Sequence, residues 1–101
     1  MRAFPSQARR NAGFQLRRVQ QGLQPHDWKW MPTVGNGVQE IRIHAGTEHR
    51  VFYVARFAEG IYVLHAFEKR TSKTPKRNIE QGRNRYRDLL RERRKEGYGE
   101  T

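Results

Sequence analysis

The chain has no cysteine, so its 101 residues can build neither a disulfide framework nor a thiolate metal site. Acid is scarce as well: ten Asp and Glu stand against 21 Lys and Arg, a formal charge of +11. No apolar run approaches the roughly 20 residues needed to span a bilayer, and Met1 to Phe14 lacks the apolar core of a signal peptide. A reducing, cytoplasmic setting without membrane contact is therefore expected. The four histidines, His26, His44, His49 and His65, fall at no recurrent ligand spacing, so neither a metal nor another cofactor is expected. The length leaves room for one domain, residues 1–101, with a modest core.

What is abundant is basic charge, and it is unevenly placed. Met1 to Gln24 holds five Arg and no acid, Ala66 to Thr101 holds twelve basic residues against six acids, and the middle is balanced at four of each. Two cationic ends on so short a chain point to a polyanionic partner, nucleic acid first. A merely solvated surface is the plain alternative.

Periodicity supplies the elements. Ala8, Ala12, Leu16, Val19 and Leu23 share one helical stripe, with Arg9, Arg10, Arg17 and Arg18 opposite, which predicts a helix from a Ser6 N-cap to about Gln21. Gly13 inside that pattern marks close packing or a break. His26 to Gly37 has no sustained period and reads as a connector, whose Trp28 and Trp30 either cover the core or stack on bases. Strands follow at Val38–His44, His49–Phe57 and Ile61–Phe67, joined by tight turns into three antiparallel neighbours. The last strand, apolar on both faces, reads as buried in the sheet and runs straight into Lys69, Arg70 and Lys73. Thr74-Pro75 then offers an N-cap and a first helical proline. Ile79, Gly82, Tyr86, Leu89 and Leu90 predict a second amphipathic helix, followed by a charged tail, about 91–101, that frays at Gly97-Tyr98-Gly99. The expected fold is α+β: an antiparallel sheet of three or four strands with an N-terminal helix, or helical hairpin, on one face, and a C-terminal helix on that same side.

Several of these segments together resemble a known family. The basic first helix, Gly35-Asn36-Gly37-Val38-Gln39-Glu40-Ile41-Arg42, His49-Arg50-Val51-Phe52-Tyr53-Val54, and Tyr62-Val63-Leu64-His65-Ala66-Phe67-Glu68-Lys69-Arg70-Thr71 with Lys73-Thr74-Pro75 look like the phage-derived, HigB-type branch of the RelE/ParE toxins. The likeness runs from about Phe4 to Leu90. It implies a RelE-like fold, a toxin that cuts messenger RNA on the ribosome, and a cognate helix-turn-helix antitoxin. The ParE side of the superfamily implies the alternative, a non-catalytic inhibitor of a protein such as DNA gyrase. A strand usually precedes the first helix in this branch, whereas Phe4-Pro5 stands almost at the amino terminus here. Either the gene start is placed too late or the sheet has one strand fewer, whose open edge invites pairing with a second copy.

Metal-independent RNA cleavage requires a proton acceptor for the 2′-hydroxyl and groups that stabilise a pentacoordinate phosphate. The planar, permanently charged arginine fork suits the second task. The resemblance implies catalytic roles for Arg50 and Arg70 and a basic residue at Arg42. Alternation places Arg42, Arg50 and Arg56 on one side of adjacent strands, and gives Arg70 the parity of Leu64, Ala66 and Glu68. Glu40 is a proton acceptor or the ion-pair partner of Arg42 or Arg50, and His65 is a second candidate acceptor or a hydrogen-bonded core residue. His49 has the opposite parity to Arg50. The candidate set is thus Arg50, Arg70, Glu40 and His65 for catalysis, with Arg42, Arg56, Lys69, Lys73 and Lys76 for RNA binding.

Overall fold

The period-two stretches form one antiparallel sheet. The computed structural model describes Met1 and residues 3–98, and its elements run α1 (Ser6–Gln20), β1 (Trp28–Trp30), β2 (Val38–Ala45), β3 (Thr47–Phe57), β4 (Gly60–Lys69) and α2 (Lys76–Lys95). The strands lie in the order β1-β2-β3-β4, so the fold is α+β as expected, with the three long strands neighbours in chain order. Residues 28–30, read from the sequence as connector, form a short flanking strand with Trp28 opposite Ile41 and Trp30 opposite Gln39. Three residues are too few to show a period.

Alternation in β2 and β3 divides the core in two. Ile41, Ile43, Val51 and Tyr53 point to α1 and bury Phe4, Ala8 and Ala12. Val38, Phe52 and Val54 point the other way and meet Tyr86, Ile79, Leu89 and Leu90 of α2. The two helices therefore cover opposite faces, which corrects the expectation of helices on one side. A central strand such as β3, with both faces apolar, needs cover on both, and full burial of each large side chain contributes about 1.5–3 kcal/mol. β4 is an edge strand rather than an interior one. Its two apolar faces are explained by the same two helices, with Ile61 and Ala66 toward α1 and Leu64 and Phe67 toward α2. Phe52 pairs with His65 and Tyr53 with Val63, so Leu64 is the extra residue of a bulge. The bulge breaks the expected parity between Leu64 and Ala66.

Each helix start differs from the expected one by a residue. Pro5 and Pro75, not Ser6 and Thr74, occupy the positions before the helices, and neither helix has a side-chain cap. α1 passes through Gly13 without a break, and a Cβ there would meet nothing. It ends where Leu23 N–H reaches back to Arg18 O across Gly22 at φ +83°, a left-handed stop that leaves Leu23 exposed. Gln15 is buried instead, its Oε1 accepting from His26 N–H at 2.8 Å. α2 extends through Arg91–Lys95, which were expected in the tail. Arg93 explains the extension: it is buried, bonds Glu59 at 2.6 Å and lies 3.7 Å over the Phe57 ring. Tyr98 N–H bonds back to Arg93 O, and Gly99 lies outside the described residues.

The loop before β2 is fixed by a close approach. A Cβ on Gly35 would stand 2.0 Å from the Tyr86 ring. Tyr86 donates its hydroxyl to Asn36 O at 2.6 Å and accepts from Arg56.

Candidate functional site

On the α2 side, the sheet beyond the end of that helix is polar. Register sets the constellation: Arg42 pairs with Arg50, Arg50 with Phe67, Glu40 with Phe52 and with Lys29, and Glu48 with Lys69. Cross-strand partners share a face, so Lys29, Glu40, Arg42, Arg50 and Lys69 converge from four strands. Glu40 is the buried centre at 1 % exposure, its Oε1 lying 3.5 Å from Arg42, 3.9 Å from Arg50 and 4.0 Å from Lys29. Its Oε2 has no hydrogen-bond partner among the described residues, and neither does Arg50 Nε. Arg50 is itself buried, donating through Nη1 to Glu48 and to His49 O, both at 3.0 Å.

Burial, with the nearby positive charges of Arg50, Lys29 and Arg42, pushes the Lys69 ammonium below the ordinary lysine range, against the opposing pull of Glu40. The outer rim is a histidine between two acids. His44 Nε2 meets Asp27 and Nδ1 meets Glu48, both at 2.7 Å. Carboxylates only accept, so this ring carries both protons. The hydrogen bonds from Asp27 and then Glu48 raise its pKa, and the bond from His44 is the largest cause lowering that of each acid.

Beside this cluster lies a cavity of about 400 Å³ lined by Phe67, Glu68, Arg70, Thr71, Pro75, Arg77 and Asn78. Phe67 borders Arg50 across the strand pair, so cavity and cluster share a wall. His65 stands behind them. Arg85 Nη1 donates to Leu64 O and to His65 Nδ1 at 3.0 Å, which leaves Nε2–H to donate to Asn78 Oδ1 at 2.8 Å. The imidazole is neutral, with burial lowering its pKa, and stacks on Phe67 at 5.3 Å.

Residues 1–87 match the family described as phage derived protein Gp49-like (DUF891). The chain belongs to this family. Gp49-like proteins are phage-derived and toxin-like. No curated protein and no solved structure matches the chain.

Within this Gp49-like fold the predicted residues fall into groups. Arg42, Arg50, Glu40 and Lys69 come together. Arg70 lines the neighbouring cavity, 83 % exposed, and donates to Glu68 at 2.7 Å. Lys73 and Lys76 are exposed on the loop and first turn leading into α2. Arg56 does not join Arg42 and Arg50. It lies six residues along β3 from Arg50, about 20 Å at strand rise, and bonds Tyr86. His65 has both ring nitrogens engaged, by Asn78 and Arg85, and ties α2 to the bulge. His49 is buried on the other face against Phe4, its ring 4.5 Å away.

Sequence reasoning missed Lys29, Asp27, His44, Glu48, Asn78 and Arg85. For Glu48 a signal was present, since alternation through the tight turn puts it opposite His44. Lys29 and Asp27 depended on β1, which had none.

Proposed function

We propose that the protein is a toxin of the HigB-type branch and acts as a metal-independent endoribonuclease on ribosome-bound messenger RNA. The observation that carries this reading is the convergence of Arg42, Arg50, Lys29 and Lys69 around a buried carboxylate, on a wall shared with a cavity that Arg70 and Arg77 line. Glu40 and the strand pairing hold these cations in place before any ligand arrives, and preorganised donors are what a developing phosphate dianion requires. Arg42 and Arg50 bind the scissile phosphate, while Arg70 reaches it from the loop after β4. Lys69, its proton affinity reduced by its surroundings, accepts the 2′-hydroxyl proton as that oxygen attacks phosphorus. The bond to the 5′ oxygen breaks, the departing oxygen takes a proton from water, and a 2′,3′-cyclic phosphate remains. Glu40, closed off from solvent, serves as the counter-ion that holds the cations. Lys73 and Lys76 extend the cationic path for the flanking RNA.

The cognate helix-turn-helix antitoxin is the partner that fits a protein of charge +11, by placing carboxylates over this face. One observation favours the ParE-like alternative, a non-catalytic inhibitor of DNA gyrase: Arg70 is engaged with Glu68. Purified protein incubated with ribosomes carrying a defined message separates the two. Cleavage by wild type, slowed about 100- to 1000-fold in Arg70→Ala and Lys69→Met, supports the ribonuclease. An intact message beside inhibited gyrase supports the alternative.

A further inference from the structure

Six of the ion pairs among the described residues on this face of the sheet form a closed circuit. Arg42 meets Asp27 at 3.5 Å, Asp27 meets His44 at 2.7 Å, His44 meets Glu48 at 2.7 Å, and Glu48 meets Arg50 at 3.0 Å. Glu40 completes it, 3.9 Å from Arg50 and 3.5 Å from Arg42. Within the circuit every cation thus stands between two carboxylates and every carboxylate between two cations, while Lys29 joins from outside, 4.0 Å from Glu40. With His44 doubly protonated the circuit holds three positive and three negative charges and is neutral. Without that proton it carries −1.

An RNA phosphate reaching Arg42 and Arg50 must displace carboxylates from them. Glu40 is enclosed and stays. Asp27 and Glu48 are on the surface, each with one oxygen on an arginine and the other on His44. We propose that His44 is the positioning residue of this cluster: its imidazolium retains Asp27 and Glu48 when RNA phosphate takes their places on Arg42 and Arg50. A neutral imidazole has one N–H, so it can hold only one of the two acids. The other stays on its arginine, and the cluster, with Lys29 and Lys69 beside it, offers phosphate one positive charge fewer. This deepens the ribonuclease reading, on which it rests, by making RNA engagement proton-dependent.

The groups facing His44 are few. Asp27 approaches from the segment leading into β1, Glu48 from β3, Arg42 from its own strand, and Lys69 of β4 lies opposite Glu48. The two acids hold the proton on His44 above the ordinary histidine range, so RNA affinity should fall on the alkaline side of that range. One unit charge a few ångströms from a phosphate near the surface changes affinity about threefold to tenfold.

The test is binding of a 2′-O-methyl RNA oligonucleotide, which cannot be cleaved by 2′-oxygen attack, at about pH 6 and about pH 9, to wild type, His44→Ala and His44→Lys. His44→Lys keeps a cation that can touch both acids. Wild type should bind about threefold to tenfold more weakly at the higher pH, His44→Ala should bind weakly at both, and His44→Lys should bind tightly at both. NMR titration of the His44 ring, in wild type beside Asp27→Asn, should show the transition at the same pH as the change in affinity, and a lower ring pKa in the variant. Equal wild-type affinity at both pH values, a wild-type profile in His44→Ala, or loss of high-pH binding in His44→Lys overturns the role of His44 while leaving the RNA reading intact. Absence of RNA binding at every pH overturns both.

Discussion

Replacing His65 by alanine separates a positioning role from a proton-transfer role. The ring is buried, stacks on Phe67 at 5.3 Å, donates to Asn78 and accepts from Arg85. Truncating a buried ring costs about 3 kcal/mol at the low end, and leaving Asn78 Oδ1 without its donor adds about 1 kcal/mol. A loss of about 4 kcal/mol is large against a typical stability of about 5–15 kcal/mol, and lowers the melting temperature of a domain this size by more than about 15 °C. Urea unfolding followed by tryptophan fluorescence measures the first quantity, and cleavage per folded molecule at low temperature measures the second. The expected result is a large fall in the urea midpoint with cleavage reduced far less than 100-fold. An unchanged midpoint with cleavage down about 100- to 1000-fold, the signature of a lost catalytic group, would make His65 a proton carrier. The pH dependence has a defined sign. Burial lowers the folded-state pKa of His65 from 6.5, so its contribution to stability is complete above that value and is lost as pH falls through it toward the folded pKa.

Other substitutions probe the scaffold. Gly13→Ala places a methyl group in open space within a continuous helix, so it should stabilise the protein by about 0.5–1 kcal/mol, seen as a higher thermal midpoint. Gly35→Ala should cost about 3 kcal/mol or more in urea unfolding, because the Tyr86 ring must move and its bond to Asn36 breaks. Arg56→Ala should loosen Tyr86 and lower stability while cleavage per folded molecule stays near wild type. An effect of Arg56→Ala on cleavage as large as that of Arg70→Ala would place it in the site after all.

How far the sequence revealed this arrangement depended on local signals. The three long strands, both helices and the convergence of Arg42 with Arg50 follow from alternation and from tight turns, which are encoded within a few residues. The bulge at Leu64, the side on which α2 lies and the flanking strand at Trp28–Trp30 depend on contacts between distant segments. Arg56 shares the side of Arg50, as alternation indicates, but stands six residues along β3 from it and bonds Tyr86, because alternation identifies a face and not a position along it. The tail at Arg91–Lys95 looked like solvated charge, yet Arg93 is buried by Glu59 and Phe57, thirty-odd residues earlier in the chain. Glu40 was read as either a base or an ion-pair partner, and Lys29, Arg42 and Arg50 all lie within 4.0 Å of its enclosed carboxylate.

The chemistry of the cut ends on ribosome-bound message tests the proposed site most directly. With wild-type protein, sequencing of fragments should find 2′,3′-cyclic phosphate and 5′-hydroxyl ends. Arg50→Lys keeps the charge of a buried residue but loses its planar fork, and should give those ends about 100-fold more slowly while remaining folded by circular dichroism. A message left intact by folded wild-type protein, or cut at the same rate by Arg50→Lys, would contradict RNA cleavage at the Arg42–Arg50–Lys69 cluster.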